Sequence, residues 1–232
     1  MEHELTAINL KGVNCYLLKT SSGFVLIDTG FKSKRAKLEK ELADAGCKPG
    51  DLKLIILTHG DSDHADNCAY LREKYGAKIA MHKDDAGMVE RGDMGWNRKA
   101  KADHMSLLFK IMSRVVKPGK FATFKPDLYI DETFDLSAYG LAAKVLHLPG
   151  HSKGSIGVLT ANGDLFCGDL LYNFFGRPNS QFIDNMEAFN ASIDKVRKLN
   201  VQIVYPGHGK PFPLQRFIMD NKWSFRDPKQ SG

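Results

Sequence analysis

The stretch Thr58-His59-Gly60-Asp61-Ser62-Asp63-His64 follows directly on the apolar run from Leu52 to Leu57, and the pairing of the two decides how the chain is read. Leu54-Ile55-Ile56-Leu57 is short, aliphatic and β-branched at its centre, as a buried strand is, and the Gly and Ser that follow permit a tight loop at its end. Two His and two Asp within six positions, on a loop held by a rigid strand, make a ligand set for zinc, iron or manganese. A thiolate site needs cysteines at comparable spacing. A solvated polar turn is the bland alternative, and it seldom concentrates so many ligand-type side chains.

Upstream, residues 5–10, 13–19 and 24–28 read as a meander of three short strands, separated by Lys11-Gly12 and Ser21-Ser22-Gly23. After Asp28-Thr29-Gly30 the period changes to that of a helix, with Leu38, Leu42 and Ala45 on one face and Gly46 as its stop. Downstream, a helix over about 66–75, a strand over 78–81 and a helix from 83 continue the alternation. Between Gly95 and Pro118, the positions Met105, Leu108, Ile111 and Met112 predict an amphipathic helix with a basic outer face, a lid-like insertion. The second half repeats the first: strands at 128–130, 141–148, 156–160 and 165–167, a helix carrying Phe189, Ile193 and Val196, and a strand at 202–205. Asn162-Gly163 marks a hairpin, and residues 227–232 read as a frayed end. Two such halves predict an α/β four-layer αββα sandwich, with the site between the sheets, in one domain over 1–232.

The 232 residues, 43% of them hydrophobic, suffice for a substantial core. Neither a secretory leader nor an apolar stretch of membrane-spanning length is present, so the cytoplasm is the expected compartment. Cys15, Cys47, Cys68 and Cys167 are scattered and are read as small buried residues, not a disulfide framework. Of the net charge of +6, residues 85–125 supply +5, from nine basic residues (Arg91, Arg98, Lys99, Lys101, Lys110, Arg114, Lys117, Lys120, Lys125) against Asp85, Glu90, Asp93 and Asp103. A solvated face is the ordinary reading of such a run. It also suits an anionic small-molecule substrate, whereas nucleic acid is disfavoured because no regular set of stacking aromatics is interleaved.

Three further segments share one design, a strand and then a tight loop with Gly immediately before a ligand: Leu148-Pro149-Gly150-His151, Phe166-Cys167-Gly168-Asp169 and Tyr205-Pro206-Gly207-His208. His3, His82, His104 and His147 lack that setting and are read as structural, with His147 at most an outer neighbour of the site.

The ordered series Asp28-Thr29-Gly30, His59-x-Asp61-x-Asp63-His64, Pro149-Gly150-His151, Gly168-Asp169 and Gly207-His208 resembles the metallo-β-lactamase superfamily over almost the whole chain. The resemblance implies two divalent metal ions at the upper edge of the sandwich, zinc first, with iron or manganese as alternatives. His59, Asp61 and His151 would hold one, Asp63, His64 and His208 the other, and Asp169 would bridge them, with Asp28 in a supporting role. It also implies a hydrolase that uses a metal-bound hydroxide, oriented by Asp63 as the catalytic residue, on a small ester, thioester, lactone or phosphoester. Tyr172 and Arg177, in the loop after Asp169, are the candidate substrate contacts. One position departs from the family pattern: Asp61 stands where a second His is usual. An added carboxylate favours harder ions, so a di-iron redox enzyme on the same ligands is the second reading, and a non-catalytic metal-binding module the third.

Overall fold

The computed structural model describes residues 4–107, 110–111 and 122–220. Two larger sheets face each other. The first runs in the order Glu4–Asn9, Asn14–Thr20, Gly23–Ile27, Leu52–Ile56, Lys78–Met81, Leu128–Tyr129. Its first three strands form the expected antiparallel meander, and the later ones add in parallel, with Val25 opposite Leu54 and Ile27 opposite Ile56. The second runs Phe212–Pro213, Ile203–Pro206, Asp164–Gly168, Ile156–Thr160, Ala143–His147 and is antiparallel except where Asp164–Gly168 meets Ile203–Pro206.

The two-residue period of a strand sorts its side chains into layers. Leu54 and Ile56 turn inward with Tyr16, Leu18, Val25 and Ile27 and meet Val145, Ile156, Val158 and Phe166 of the second sheet. Ile55 turns outward, and so does Leu52, which lies on the other side of a register shift at Lys53; both pack with Leu38 and Leu42 of the helix Arg35–Asp44 and with Leu71 and Tyr75 of the helix Cys68–Tyr75. On the far side, Leu146, Leu159 and Leu165 pack with Phe189, Ile193 and Val196 of the helix Met186–Arg197. Burial on both faces is why the run 52–57 carries almost no polar residue. The result is the expected αββα sandwich.

Three expectations need correction. The strand Leu128–Tyr129 belongs to the first sheet, not the second half: Leu128 pairs in parallel with Ala80 and extends that sheet's edge. Met105 is not helical but lies in the strand His104–Met105, paired with Phe182–Ile183, so the period of 3.6 assigned from it begins too early. The helical backbone starts at Leu107, with Lys110 N–H donating to Ser106 O at 2.9 Å; Leu107 and Ile111 are exposed. Leu108, Met112, Arg114, Lys117, Pro118, Gly119 and Lys120, and the tail 227–232, lie outside the described residues. Arg98, counted with the basic surface, is largely covered at the sandwich edge, where it bears on function.

Candidate metal centre

Each loop expected to carry a ligand leaves the end of a strand at one edge of the sandwich. Ile156 N–H donates to Thr58 O at 2.8 Å and Asn14 N–H to Gly207 O at 2.7 Å, which tie the two sheets together there. Gly168 has φ +52°, a conformation that costs glycine little, and it turns Asp169 back toward the cleft. Gly207 is needed for a different reason: a Cβ would collide with the Asp169 carboxylate and the His64 ring.

The structure brings all seven expected ligand side chains together. Ligand atoms of His59, Asp61 and His151 lie within 4.8 Å of one another, as do those of Asp63, His64 and His208, and those of His59, His64 and Asp169. Asp61 Oδ2 is 3.1 Å from His151 Nε2 and 3.4 Å from His59 Nε2. In the other half, His64 Nε2 lies 3.2 Å from Asp169 Oδ1, and His208 Nε2 lies 3.2 Å from Asp63 Oδ2 and 3.3 Å from Asp169 Oδ2. Asp169 stands between the halves.

The imidazole tautomers follow from what each Nδ1 meets. His64 Nδ1 faces Asp28 Oδ2 at 2.8 Å, His208 Nδ1 faces Gly12 O, and His151 Nδ1 faces Phe182 O at 3.4 Å. An acceptor at Nδ1 puts the proton there and leaves Nε2 as the lone pair. Thr58 Oγ1 donates its one hydrogen to Asp28 Oδ2 at 2.8 Å, so toward His59 Nδ1, at 3.0 Å, it can only accept. All four histidines are thereby set to present Nε2 to the cluster. His59 Nε2 is buried there without a hydrogen-bond partner, as a nitrogen awaiting an ion is. Asp28 sits at φ +58° and also accepts from Thr58 N–H at 2.8 Å, so it supports the cluster from behind, as expected.

Charge distinguishes the two halves. Burial opposes protonation of His64 and His208, yet the carboxylates around them win: Asp169, Asp28 and Asp63 raise His64 well above the usual histidine range, and Asp169 leads in pushing His208 up to about 10. Such a cluster satisfies itself with positive charge, from protons or from a dication. In the other half, burial pulls His151 down. Burial would raise the Asp61 carboxyl, but the Arg98 guanidinium beside it, with His151 and His59, holds it well below the usual carboxylate range.

Arg98 is the residue the sequence reading missed. Its Nη1 lies 2.9 Å from Asp61 Oδ1, its Nη2 donates to Asp61 Oδ2 at 3.0 Å, and the same Nη2 is 3.2 Å from His151 Nε2. Its side chain is 12% exposed and lies over the Phe182 ring. The available signal was Asp61 itself, since a buried carboxylate added to a ligand set calls for a cation. Asp85 was also missed. It accepts from Ser152 Oγ at 2.6 Å, from Gly154 N–H at 2.7 Å and from Gly60 N–H at 3.3 Å, and so joins the His59 loop to the His151 loop.

Tyr172 is buried, donates to Asp169 Oδ2 at 2.6 Å and stacks on His208 with an interplanar angle of 11°. Arg177 is exposed on the return strand of the same hairpin, opposite Phe174, and does not join the cluster. His82 and His147 stack on each other, and His147 Nε2 meets Lys153 O at 2.8 Å instead of any of the seven residues. All four cysteines are buried and free. No helix among the described residues is long and apolar enough to cross a membrane.

The profile of the metallo-beta-lactamase superfamily matches residues 8–208. A beta-lactamase-like protein 2 homolog of Caenorhabditis elegans is 23% identical over 89% of this chain, which spans only 59% of that protein's length. The hydroxyacylglutathione hydrolase GloC of Haemophilus influenzae is 28% identical, with 90% of this chain and 91% of that protein covered. Among solved structures, the metallo-beta-lactamase GOB-18 of Elizabethkingia meningoseptica superposes with a TM-score of 0.69 at 17% identity, covering 94% of this chain and 85% of that one.

Proposed function

We propose, because the chain belongs to the metallo-β-lactamase superfamily, that it is a metal-dependent hydrolase of a small ester, thioester, lactone or phosphoester. The observation that carries this reading is the convergence of four Nε2 lone pairs and three carboxylates at one edge of the sandwich, each imidazole fixed in tautomer by a partner behind it. His59, Asp61 and His151 would form one ligand group and Asp63, His64 and His208 the other, with Asp169 shared. Zinc is the favoured ion. When bound, divalent ions there supply an acidified water and a positive field for the developing oxyanion.

The chain's own groups do the rest. Asp63 is the most open of the three cluster carboxylates, its side chain 21% exposed, which leaves an oxygen to orient a water at the cleft and receive its proton. Tyr172 O–H holds Asp169 Oδ2, so the shared carboxylate cannot rotate away. Arg98 answers the charge of Asp61, so the added carboxylate does not make the site more anionic in the way that would favour iron redox chemistry. A thioester heads the list, since the Haemophilus relative is named for an acylated thiol. The test is a panel of chromogenic thioester, ester, lactone and phosphodiester substrates, with the purified protein and with protein stripped by a chelator. Turnover of one class, lost on stripping and restored by zinc, is expected; no turnover of any class in zinc-loaded protein contradicts the proposal.

A further inference from the structure

The resemblance implies an ion in each of the two ligand groups. In this chain the first group already holds a cation. Of the three ligand atoms in the first group, two already face a cation: the Arg98 fork spans both oxygens of Asp61, and its Nη2 sits against the Nε2 lone pair of His151. His59 Nε2 lacks a hydrogen-bond partner there, and Asp61 Oδ1 is met by the Arg98 ion pair alone. Among the described residues, the second group has no cationic side chain at hydrogen-bond distance beyond its own histidines, and gathers Asp63 and Asp169, with Asp28 behind His64.

We propose that the Arg98 guanidinium is the standing cation of the first group, so that the protein holds one divalent ion tightly, among Asp63, His64, Asp169 and His208, and admits a second only by displacing Arg98 from Asp61 and His151. This rests on the metal-ligand reading above. Three features carry it. A planar fork on a carboxylate is the strong form of the ion pair, and here it is nearly dry. Leaving the shared Asp169 aside, neutral imidazoles at His59 and His151 with Asp61 and Arg98 sum to zero charge, whereas neutral His64 and His208 with Asp63 sum to −1. Finally, an incoming dication in the first group would stand beside a fixed positive charge in a water-poor setting, where repulsion is strongest. Arg98 also explains how Asp61 is tolerated in place of a histidine: aspartate and arginine together replace a neutral ligand by a neutral pair.

The experiment is zinc titration of chelator-stripped protein by calorimetry, with bound zinc counted by mass spectrometry. Wild type is expected to take one zinc tightly and a second at least about 100-fold more weakly, because the second must first displace Arg98 from Asp61 and His151. Arg98→Met, which keeps the apolar stem and removes the charge, should raise tight binding from one zinc to two, and Arg98→Lys should stay nearer to one. Should Arg98→Met fail to fold, wild type and Asp61→Asn decide: Asp61→Asn should keep the single tight site, and Asp63→Asn should weaken it. Two zinc ions of comparable affinity in wild type, unchanged stoichiometry in folded Arg98→Met, or loss of the tight site in Asp61→Asn each overturns the proposal and leaves the hydrolase reading standing. Failure of wild type to bind zinc at all overturns both.

Discussion

Removing the Asp85 carboxylate should loosen two ligand loops at once. Asp85 is buried in the first turn of the helix Lys83–Arg91 and takes hydrogen bonds from Gly60 N–H, Gly154 N–H and Ser152 Oγ. Gly60 separates His59 from Asp61, and Ser152 follows His151. In Asp85→Ala the Ser152 hydroxyl keeps Ser155 Oγ at 2.6 Å, but the two backbone N–H groups lose their acceptor. A buried donor left unpaired costs about 1–3 kcal/mol, so two should destabilise the fold by about 4 kcal/mol, with a few tenths more from the helix terminus. Asp85→Asn retains one acceptor oxygen and turns an NH2 against a donor; its cost should be about 2 kcal/mol. Urea denaturation of the metal-free variants, with an unchanged m-value, measures both. Because partners behind metal ligands affect affinity by about 10–100-fold, the second, weaker zinc, whose ligands His59, Asp61 and His151 lie on these two loops, should lose affinity by that order in each folded variant. A loss below about 1 kcal/mol in Asp85→Ala, with zinc affinity intact, would refute the claim that this carboxylate clamps the loops.

Three other outcomes are expected. Tyr172→Phe keeps the stack on His208 but removes the donor to Asp169, and should cost about 1.5–2 kcal/mol in thermal or urea denaturation; an unchanged midpoint means the phenol does not hold the carboxylate. Asp61→His, which restores the family's usual residue, should be destabilising by about 3 kcal/mol because it strands a buried guanidinium, and adding Arg98→Met should recover most of that; equal stability of the single and double variants contradicts the pairing. Burial and the stacked His147 hold the His82 pKa below its usual value, so the unfolded chain binds a proton that the folded one refuses. Stability should therefore decline as pH falls below about 6.5. His82→Asn, which keeps an acceptor for Asp84 N–H at the helix start, should show a shallower decline between pH 7.5 and 5.5 in urea midpoints, and an identical decline excludes His82 as the source.

The layers of the fold are legible in the sequence because burial on two faces and burial on one face write different patterns. The uninterrupted run at 54–57 and the spacing of Leu38, Leu42, Phe189, Ile193 and Val196 identify strand and helices without further help. Where elements are only two residues long the pattern carries too little information, which is why Leu128–Tyr129 falls in the other sheet and Met105 leaves its expected helix. The seven cluster residues are readable because each follows a strand and a tight turn. Arg98 and Asp85 are not, since neither occupies such a loop and both act through groups distant in sequence. Arg98 looks like one more member of a basic run until the fold turns it inward.

The most direct measurement is anomalous diffraction at the zinc edge from crystals grown with stoichiometric zinc. A principal peak bounded by Asp63, His64, Asp169 and His208, with Arg98 still on Asp61, is the predicted result. Zinc bound elsewhere on the protein, with these four side chains free of it, would contradict the account.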